Sequence, residues 1–207
     1  MAADPRRPRP VLPLLTAAGL AAFASATPPA RGAAPDPAAV QEQAEACMAC
    51  HAPAAEPPDA PHLHGQPAFF LMAQLVQFRE GRRGADTPMA EIAKELGDAE
   101  IRALSRHFAG LPAPVPPEGA TPDPARQARG AELAKEHRCG TCHLPSYAGA
   151  QQVPRLAAQK EEYLLNAMGG YKSGARIGTG AAMPEVMSGV SEEGAADIAH
   201  YLAHLGR

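Results

Sequence analysis

The chemistry in this 207-residue chain is concentrated in four cysteines and two of its eight histidines. They stand as Cys47-Met48-Ala49-Cys50-His51 and Cys139-Gly140-Thr141-Cys142-His143, and the two copies use every cysteine present. C-x-x-C-H is the attachment signature of a c-type haem. Two thiols separated by two residues on one turn can each form a thioether to a vinyl group on the same porphyrin edge. The histidine that follows can then swing beneath the ring and place a nitrogen on the iron. A C-x-x-C redox pair or half of a zinc site would explain one copy, but neither requires a histidine after the second cysteine in both. The motifs predict two covalently bound haem c groups on Cys47, Cys50, Cys139 and Cys142, with His51 and His143 as axial iron ligands.

The composition agrees. Aromatic residues make up only 4% of the chain and tryptophan is absent, whereas a protein core normally leans on aromatic bulk. A buried haem supplies apolar mass that a small domain otherwise lacks.

The first residues read as an export signal. Arg6, Arg7 and Arg9 form a basic region, Val11 to Ala24 an apolar one, and Ala24-Ser25-Ala26 a small-x-small cleavage site. The apolar run falls short of the ~20 residues of a membrane span. Haem is attached to such motifs outside the cytoplasm, so a periplasmic location is expected, with residues 1–26 removed. The remaining chain has 16 basic and 21 acidic residues, a formal net charge of −5. That balance gives no basic face for nucleic acid.

The chain is internally repeated. The cysteine motifs are offset by 92 residues. At an offset of 93, Pro61-His62-Leu63 meets Pro154-Arg155-Leu156, Gln66 meets Gln159, Phe70-Leu71 meets Tyr163-Leu164, and Gly81 meets Gly174. At 94, Met89 meets Met183, Leu96 meets Val190, Phe108 meets Leu202 and Leu111 meets Leu205. Two tandem all-α domains are expected, each with about three main helices around a covalent haem, at residues 27–111 and 123–207. Residues 112–122 form a proline-rich, extended linker between them.

The helices that must position the motifs are also legible. Asp36-Pro37 and Asp123-Pro124 look like N-caps followed by proline at the first helical position. They open helices that deliver Cys47 (over Ala38 to Ala46) and Cys139. Phe70, Leu71, Gln74, Leu75 and Phe78 recur at helical spacing after Pro67. Asp98 is the expected cap of the helix carrying Ile101, Leu104, Phe108 and Leu111. Ser191 is the expected cap before Ile198, Leu202 and Leu205.

For the sixth iron position, Met72 and Met168 lie on or beside apolar helix stripes, where a packed methionine is ordinary. Met89 and Met183 are expected in loops just before a short helix and correspond in the repeat, so they are the expected axial ligands, with Met187 the rival of Met183. His62 and His64 flank Leu63 near the first haem but correspond to Arg155 and Ala157, outside the repeated design. His/Met ligation raises the potential relative to bis-histidine and leaves no open site, which favours electron transfer. The carbonyls of Pro61 and Pro154 are candidates to accept the other ring N–H of each proximal histidine. Tyr163 and Tyr171 are candidates to pack on a haem edge or meet a propionate. His107, His137, His200 and His204 are expected on the surface or on helix faces.

Taken together, both C-x-x-C-H motifs, the Pro-x-Leu-x-x-Gln segments at Pro61–Gln66 and Pro154–Gln159, the following Phe70-Leu71 and Tyr163-Leu164, and Met89 and Met183 resemble a dihaem class I cytochrome c, most closely the cytochrome c4 family. The resemblance covers nearly all of residues 38–205. It implies two cytochrome c folds related by a pseudo-twofold axis, with haem propionate edges facing across the interface. It also implies a periplasmic carrier taking electrons from a quinol-oxidising complex or dehydrogenase to a terminal oxidase, with peripheral membrane association possible. The loop Ala52 to Pro58 departs from the glycine-containing loop usual after the first motif, and the second motif is followed by Leu144-Pro145-Ser146-Tyr147. Two alternatives remain: a cytochrome subunit of a flavoprotein or quinoprotein dehydrogenase, and a small dihaem enzyme of the peroxidase or thiosulfate-oxidising kind. Charge is uneven, with residues 27–118 at net −5 and 119–207 at zero. The acidic half is therefore expected to favour a basic partner surface, with Asp86, Glu91, Glu95 and Asp98 contributing.

Overall fold

Asp36 and Asp123 cap as their sequence context predicts. The Asp36 carboxylate accepts from the Ala38 N–H at 2.9 Å. Asp123 accepts from Ala125 at 2.8 Å and Arg126 at 3.0 Å, satisfying donors that have no partner inside the helix. The computed structural model describes residues 35–206 except 54, 117–120, 177 and 179–181; the export segment at 1–26 lies outside the described residues. From the two caps run α1 (Pro37–His51) and α5 (Pro124–Glu136). The first half continues with α2 (Ala68–Arg79), α3 (Pro88–Lys94) and α4 (Asp98–Gly110). The second half has α6 (Cys139–His143), α7 (Glu161–Ser173), α8 (Ala182–Ser188) and α9 (Glu192–Ala203). No strand occurs among the described residues, where a single isolated bridge joins Ala150 to Val153.

The repeat is carried into the backbone. Helix α7 begins 93 residues after α2, and α8 and α9 begin 94 after α3 and α4. Loop geometry repeats too. Gly65 (φ 66°) and Ala158 (φ 56°) share the left-handed conformation. The Gly65 N–H donates to the Phe108 carbonyl at 3.0 Å, and the Ala158 N–H to the Leu202 carbonyl at 2.9 Å.

Each half has its own core. Val40, Ala44, Phe70, Leu71, Leu104 and Phe108 form the first. Ala134, Leu164, Met168, Met187, Ile198 and Leu202 are central to the second. The expected apolar stripes of α4 and α9 therefore face inward, each large side chain contributing roughly 1.5–3 kcal/mol on burial.

The first and last helices of each half cross differently. Val40 and Ala44 pack in the cluster of Leu104 and Phe108, with one hydrogen bond from the Gln43 side chain to Glu100 at 3.1 Å. In the second half α5 presents Gly130, and a Cβ built there would lie 2.2 Å from the Asp197 carbonyl oxygen on α9. Only glycine allows the two backbones so close. Arg126 and Arg129 then close on the buried Asp197 carboxylate at 3.3 and 2.6 Å. These contacts hold its pKa below the ordinary carboxylate value, the Arg129 hydrogen bond first.

Three expectations are corrected. The helix delivering Cys47 does not stop at Ala46 but runs through the whole motif to His51. The cap of α4 is Gly97 rather than Asp98; Asp98 is the first helical residue, and the Glu100 carboxylate accepts from the Gly97 N–H at 2.7 Å. The 94-residue offset already pairs Gly97 with Ser191, which does cap α9 through its hydroxyl, 3.0 Å from the Gly194 N–H. His200 is not a surface residue. It is buried, receives the Asp123 N–H at 3.0 Å and places Nδ1 2.8 Å from Glu161. Residues 112–116, which follow α4, form no helix. Ala113 lies so close to Gly65 that a Cβ there would sit 2.8 Å from its Cα.

Candidate haem sites

The two motifs reach their positions by different routes. In the first half, α1 carries Cys47, Cys50 and His51 on its last turn. In the second, α5 ends at Glu136, Arg138 adopts φ 55°, and the motif forms its own short helix, α6. The outcome is alike in both. Cys47 and Cys139 are half-buried, Cys50 and Cys142 are exposed, and none of the four is bonded to another. The histidines are buried, at 7% exposure for His51 and 6% for His143.

Each histidine is oriented through one ring nitrogen. Nδ1 of His51 lies 2.7 Å from the Pro61 carbonyl, and Nδ1 of His143 lies 2.9 Å from the Pro154 carbonyl. A carbonyl oxygen can only accept, so Nδ1 carries the proton and Nε2 keeps the lone pair that a metal needs. Burial pushes the pKa of both rings down, against the opposing effect of the carbonyl. Burial thus favours the neutral ring, which is the ligating form. Pro61 and Pro154 thus serve as the paired carbonyl acceptors expected of them.

The methionines fall in helices rather than loops. Met89 and Met183 are each the second residue of a seven-residue helix, α3 and α8. Both are half-buried, and Met183 packs against the edge of the second core. A first-turn position still allows the side chain to project past the helix end. Met187 and Met168 are core residues, 3% and 8% exposed.

Two features at the junction of the halves were not read from the sequence as functional. The first is an exchange of glutamine side chains. Gln66 Nε2 donates to the Arg155 carbonyl at 2.9 Å, and its Oε1 accepts from the Arg155 N–H at 3.0 Å. Gln159 does the same to His62, at 3.0 and 2.7 Å. Both glutamines are buried, at 4% and 2% exposure. The signal was present, since Gln66/Gln159 and His62/Arg155 share the 93-residue offset. What was missing was that each glutamine reaches across to the other half.

The second feature is cationic. Arg83 and Arg176, also 93 apart, stack on the corresponding rings of Phe78 (4.4 Å) and Tyr171 (4.9 Å). Both reach the Tyr163 hydroxyl, at 3.4 and 3.0 Å. Burial raises the Tyr163 phenol, but Arg176 and Arg83 together outweigh it and bring the pKa down to about 8. Among the described residues neither guanidinium has a carboxylate partner, and the buried Arg176 Nε and Gln77 Oε1 have no hydrogen-bond partner. Two half-buried cations without anions are costly unless negative charge is supplied. The propionates of bound haem would supply it. The donor set, the oriented histidines and this cationic pair all fit the binding of two haems, whose propionates the two arginines would hold.

Duplicated helical units, each with a C-x-x-C-H motif and a carbonyl-oriented histidine, define a dihaem class I cytochrome c. Known proteins place it more narrowly. The Cytochrome c family model matches residues 127–206. The chain is 41% identical over 175 residues to the thiosulfate dehydrogenase electron acceptor of Stutzerimonas stutzeri (strain A1501), covering 79% of this chain and 81% of that one. It is 31% identical over 182 residues to the thiosulfate dehydrogenase electron acceptor of Thiomonas intermedia (strain K12), covering 82% and 79%. The solved structure of Acidithiobacillus ferrooxidans cytochrome c4 superposes with a TM-score of 0.70 at 26% identity, covering 78% of this chain and 99% of that one. The chain belongs to the dihaem cytochrome c4 family. It is an electron-transfer cytochrome with two c-type haems.

Proposed function

We propose that this cytochrome accepts single electrons from a dehydrogenase oxidising a reduced sulfur compound, thiosulfate being the first candidate, and passes them to a terminal oxidase in the periplasm. The observation that carries this reading is the 41% identity to a thiosulfate dehydrogenase electron acceptor over 81% of that protein's length. We assign the thioether bonds to Cys47, Cys50, Cys139 and Cys142, and the axial pairs to His51 with Met89 and His143 with Met183. Bound haem supplies one-electron exchange between Fe(II) and Fe(III). The carbonyls of Pro61 and Pro154 orient the two histidines, the four cysteines would hold the haems, and Arg83 and Arg176 would meet propionate charge. Burial of Met187 in the core favours Met183 as the second methionine ligand. Among the described residues no helix is long and apolar enough to cross a membrane.

The test is rapid mixing of the oxidised, haem-loaded protein with a purified thiosulfate dehydrogenase and thiosulfate. Reduction of both haems at a rate that saturates with dehydrogenase is expected; absence of reduction, with the donor active on an artificial acceptor, would refute the pairing. A second reading is a carrier from a quinol-oxidising complex to the oxidase, favoured by the likeness to cytochrome c4. It predicts reduction by that complex and not by the dehydrogenase.

A further inference from the structure

The peptide group joining Pro61 to His62 is engaged at both ends. Its carbonyl accepts from His51 Nδ1 at 2.7 Å, and its N–H donates to Gln159 Oε1 at 2.7 Å. The peptide joining Pro154 to Arg155 is engaged at the same two ends, by His143 at 2.9 Å and by Gln66 at 3.0 Å, although Gln159 Oε1 alone also accepts from the Lys160 N–H at 2.9 Å. In both cases the glutamine belongs to the opposite half of the molecule from the histidine.

An amide whose N–H is already donating carries more negative charge on its oxygen, and successive bonds strengthen one another by roughly 10–30%. A stronger acceptor at Nδ1 makes the ring a better electron donor through Nε2. The second glutamine contact fixes which end does what. Nε2 must face the His62 or Arg155 carbonyl, at 3.0 and 2.9 Å, so Oε1 must face the N–H. Water has little access, since the glutamines are 2% and 4% exposed. Simple adhesion between the halves would be served by any backbone group. Both copies instead select the one peptide that also holds the histidine, and they do so although residues 62 and 155 differ in side chain.

We propose that Gln159 is a positioning residue for His51 and Gln66 for His143, so that each half sets the basicity of the other half's iron-bound histidine. This rests on the assignment of both histidines as iron ligands. The electron-donating strength of each ligand then depends on the halves being correctly seated.

The experiment uses the full-length, haem-loaded protein with Gln159→Met and Gln66→Met, which keep side-chain length and remove the hydrogen bonds. The ring Nδ1–H resonances are followed by NMR in the reduced state, and each haem is titrated. In the unaltered protein both resonances shift on oxidation if the histidines hold the irons, so a failure of that assignment appears before any variant is made. Gln159→Met is expected to move the His51 resonance and speed its solvent exchange severalfold. It should raise the first haem's reduced-to-oxidised ratio at fixed ambient potential about twofold. The His143 resonance and the second haem should change much less, and Gln66→Met should give the mirror image. An unmoved opposite histidine, or equal movement of both, overturns the proposal, equal movement being the mark of general loosening. Gln159→Glu keeps the accepting oxygen and loses the donor. Because a carboxylate accepts more strongly than an amide, it should leave the His51 resonance near its original position or move it opposite to Gln159→Met, and a shift in the Gln159→Met direction counts against the proposal.

Discussion

The two halves solve one problem with different spacing. In α1 the buried residues Val40 and Ala44 lie seven and three positions before Cys47; in α5 the buried Gly130 and Ala134 lie nine and five before Cys139. Two extra residues rotate a helix by about 200°, so a continuous α5 would turn the second motif away from the core. The break at His137 and Arg138, with Arg138 at φ 55°, takes up that rotation. The second half also carries every non-glycine residue with positive φ among the described residues: Arg138, Leu144, Tyr147, Gln151 and Ala158. Where its first and last helices cross, the second half is fastened by a buried carboxylate between two arginines, whereas the α1–α4 crossing of the first half relies on apolar packing and the Gln43–Glu100 contact. Duplication preserved the His–carbonyl and glutamine contacts in both halves, while helix crossings and turns drifted apart.

The sharpest way to break the correspondence is to remove the methionines one at a time. Met89→Ala and Met183→Ala should each abolish the low-spin His/Met signature of one haem, lower its potential and open it to carbon monoxide. The unaltered protein should be unreactive, which also tests against a small dihaem enzyme. Met187→Leu should leave both spectra intact and cost under about 1.5 kcal/mol. If Met187→Leu removes the signature and Met183→Ala does not, the 94-residue correspondence fails at the iron.

Smaller effects test the helix crossings. Gly130→Ala puts a methyl group 2.2 Å from a backbone oxygen; a loss of about 3 kcal/mol is expected in thermal or denaturant unfolding. Asp197→Asn should lower Tm at neutral pH by about 5 °C, whereas Glu100→Gln in the first half should change it by no more than about 1–2 °C. The Asp197 pKa is depressed in the fold. Its contribution is therefore present above the ordinary carboxylate range and lost as pH falls through the depressed value. The unaltered protein and Asp197→Asn should converge only as pH falls below the ordinary carboxylate range and through the depressed value; curves that stay parallel would exclude the carboxylate as the source.

The smallest effect compares matched turns. Gly65→Ala must accept φ 66° and a contact of 2.8 Å with Ala113, so a loss of about 1–3 kcal/mol is expected. Ala158→Gly relieves the same conformation and should change stability by less than about 1 kcal/mol in either direction.

Neutralising Asp86, Glu91, Glu95 and Asp98 should act on partner docking less than their number suggests. Glu91 is paired with Lys94 at 2.6 Å and Asp98 with Arg79 at 2.8 Å. The salt dependence of the donor reaction is the measure.

Much of the site was legible because its determinants are local. Two thiols and a histidine within five residues, an aspartate before a proline, and an offset that stays nearly constant do not depend on long-range contacts. The cysteine–histidine motifs, the caps at Asp36 and Asp123, the stripes of α4 and α9 and the paired prolines could therefore be read directly. The cap at Gly97 was misplaced because a glycine carries no side-chain signal, and the capping group is the Glu100 carboxylate three residues on. His200 looked like a surface residue because its partners, Asp123 and Glu161, lie 77 and 39 residues away.

Sequence alone determined that this chain carries two covalent haems in a duplicated helical frame, since thioether chemistry and helical periodicity are written in residue types and spacing. Only the tertiary structure decided how the copies meet. Gln66 and Gln159 bond backbone of the opposite half, and Arg83 and Arg176 converge on one phenol. Contacts across a junction depend on where two folded units come to rest, and no local pattern records that.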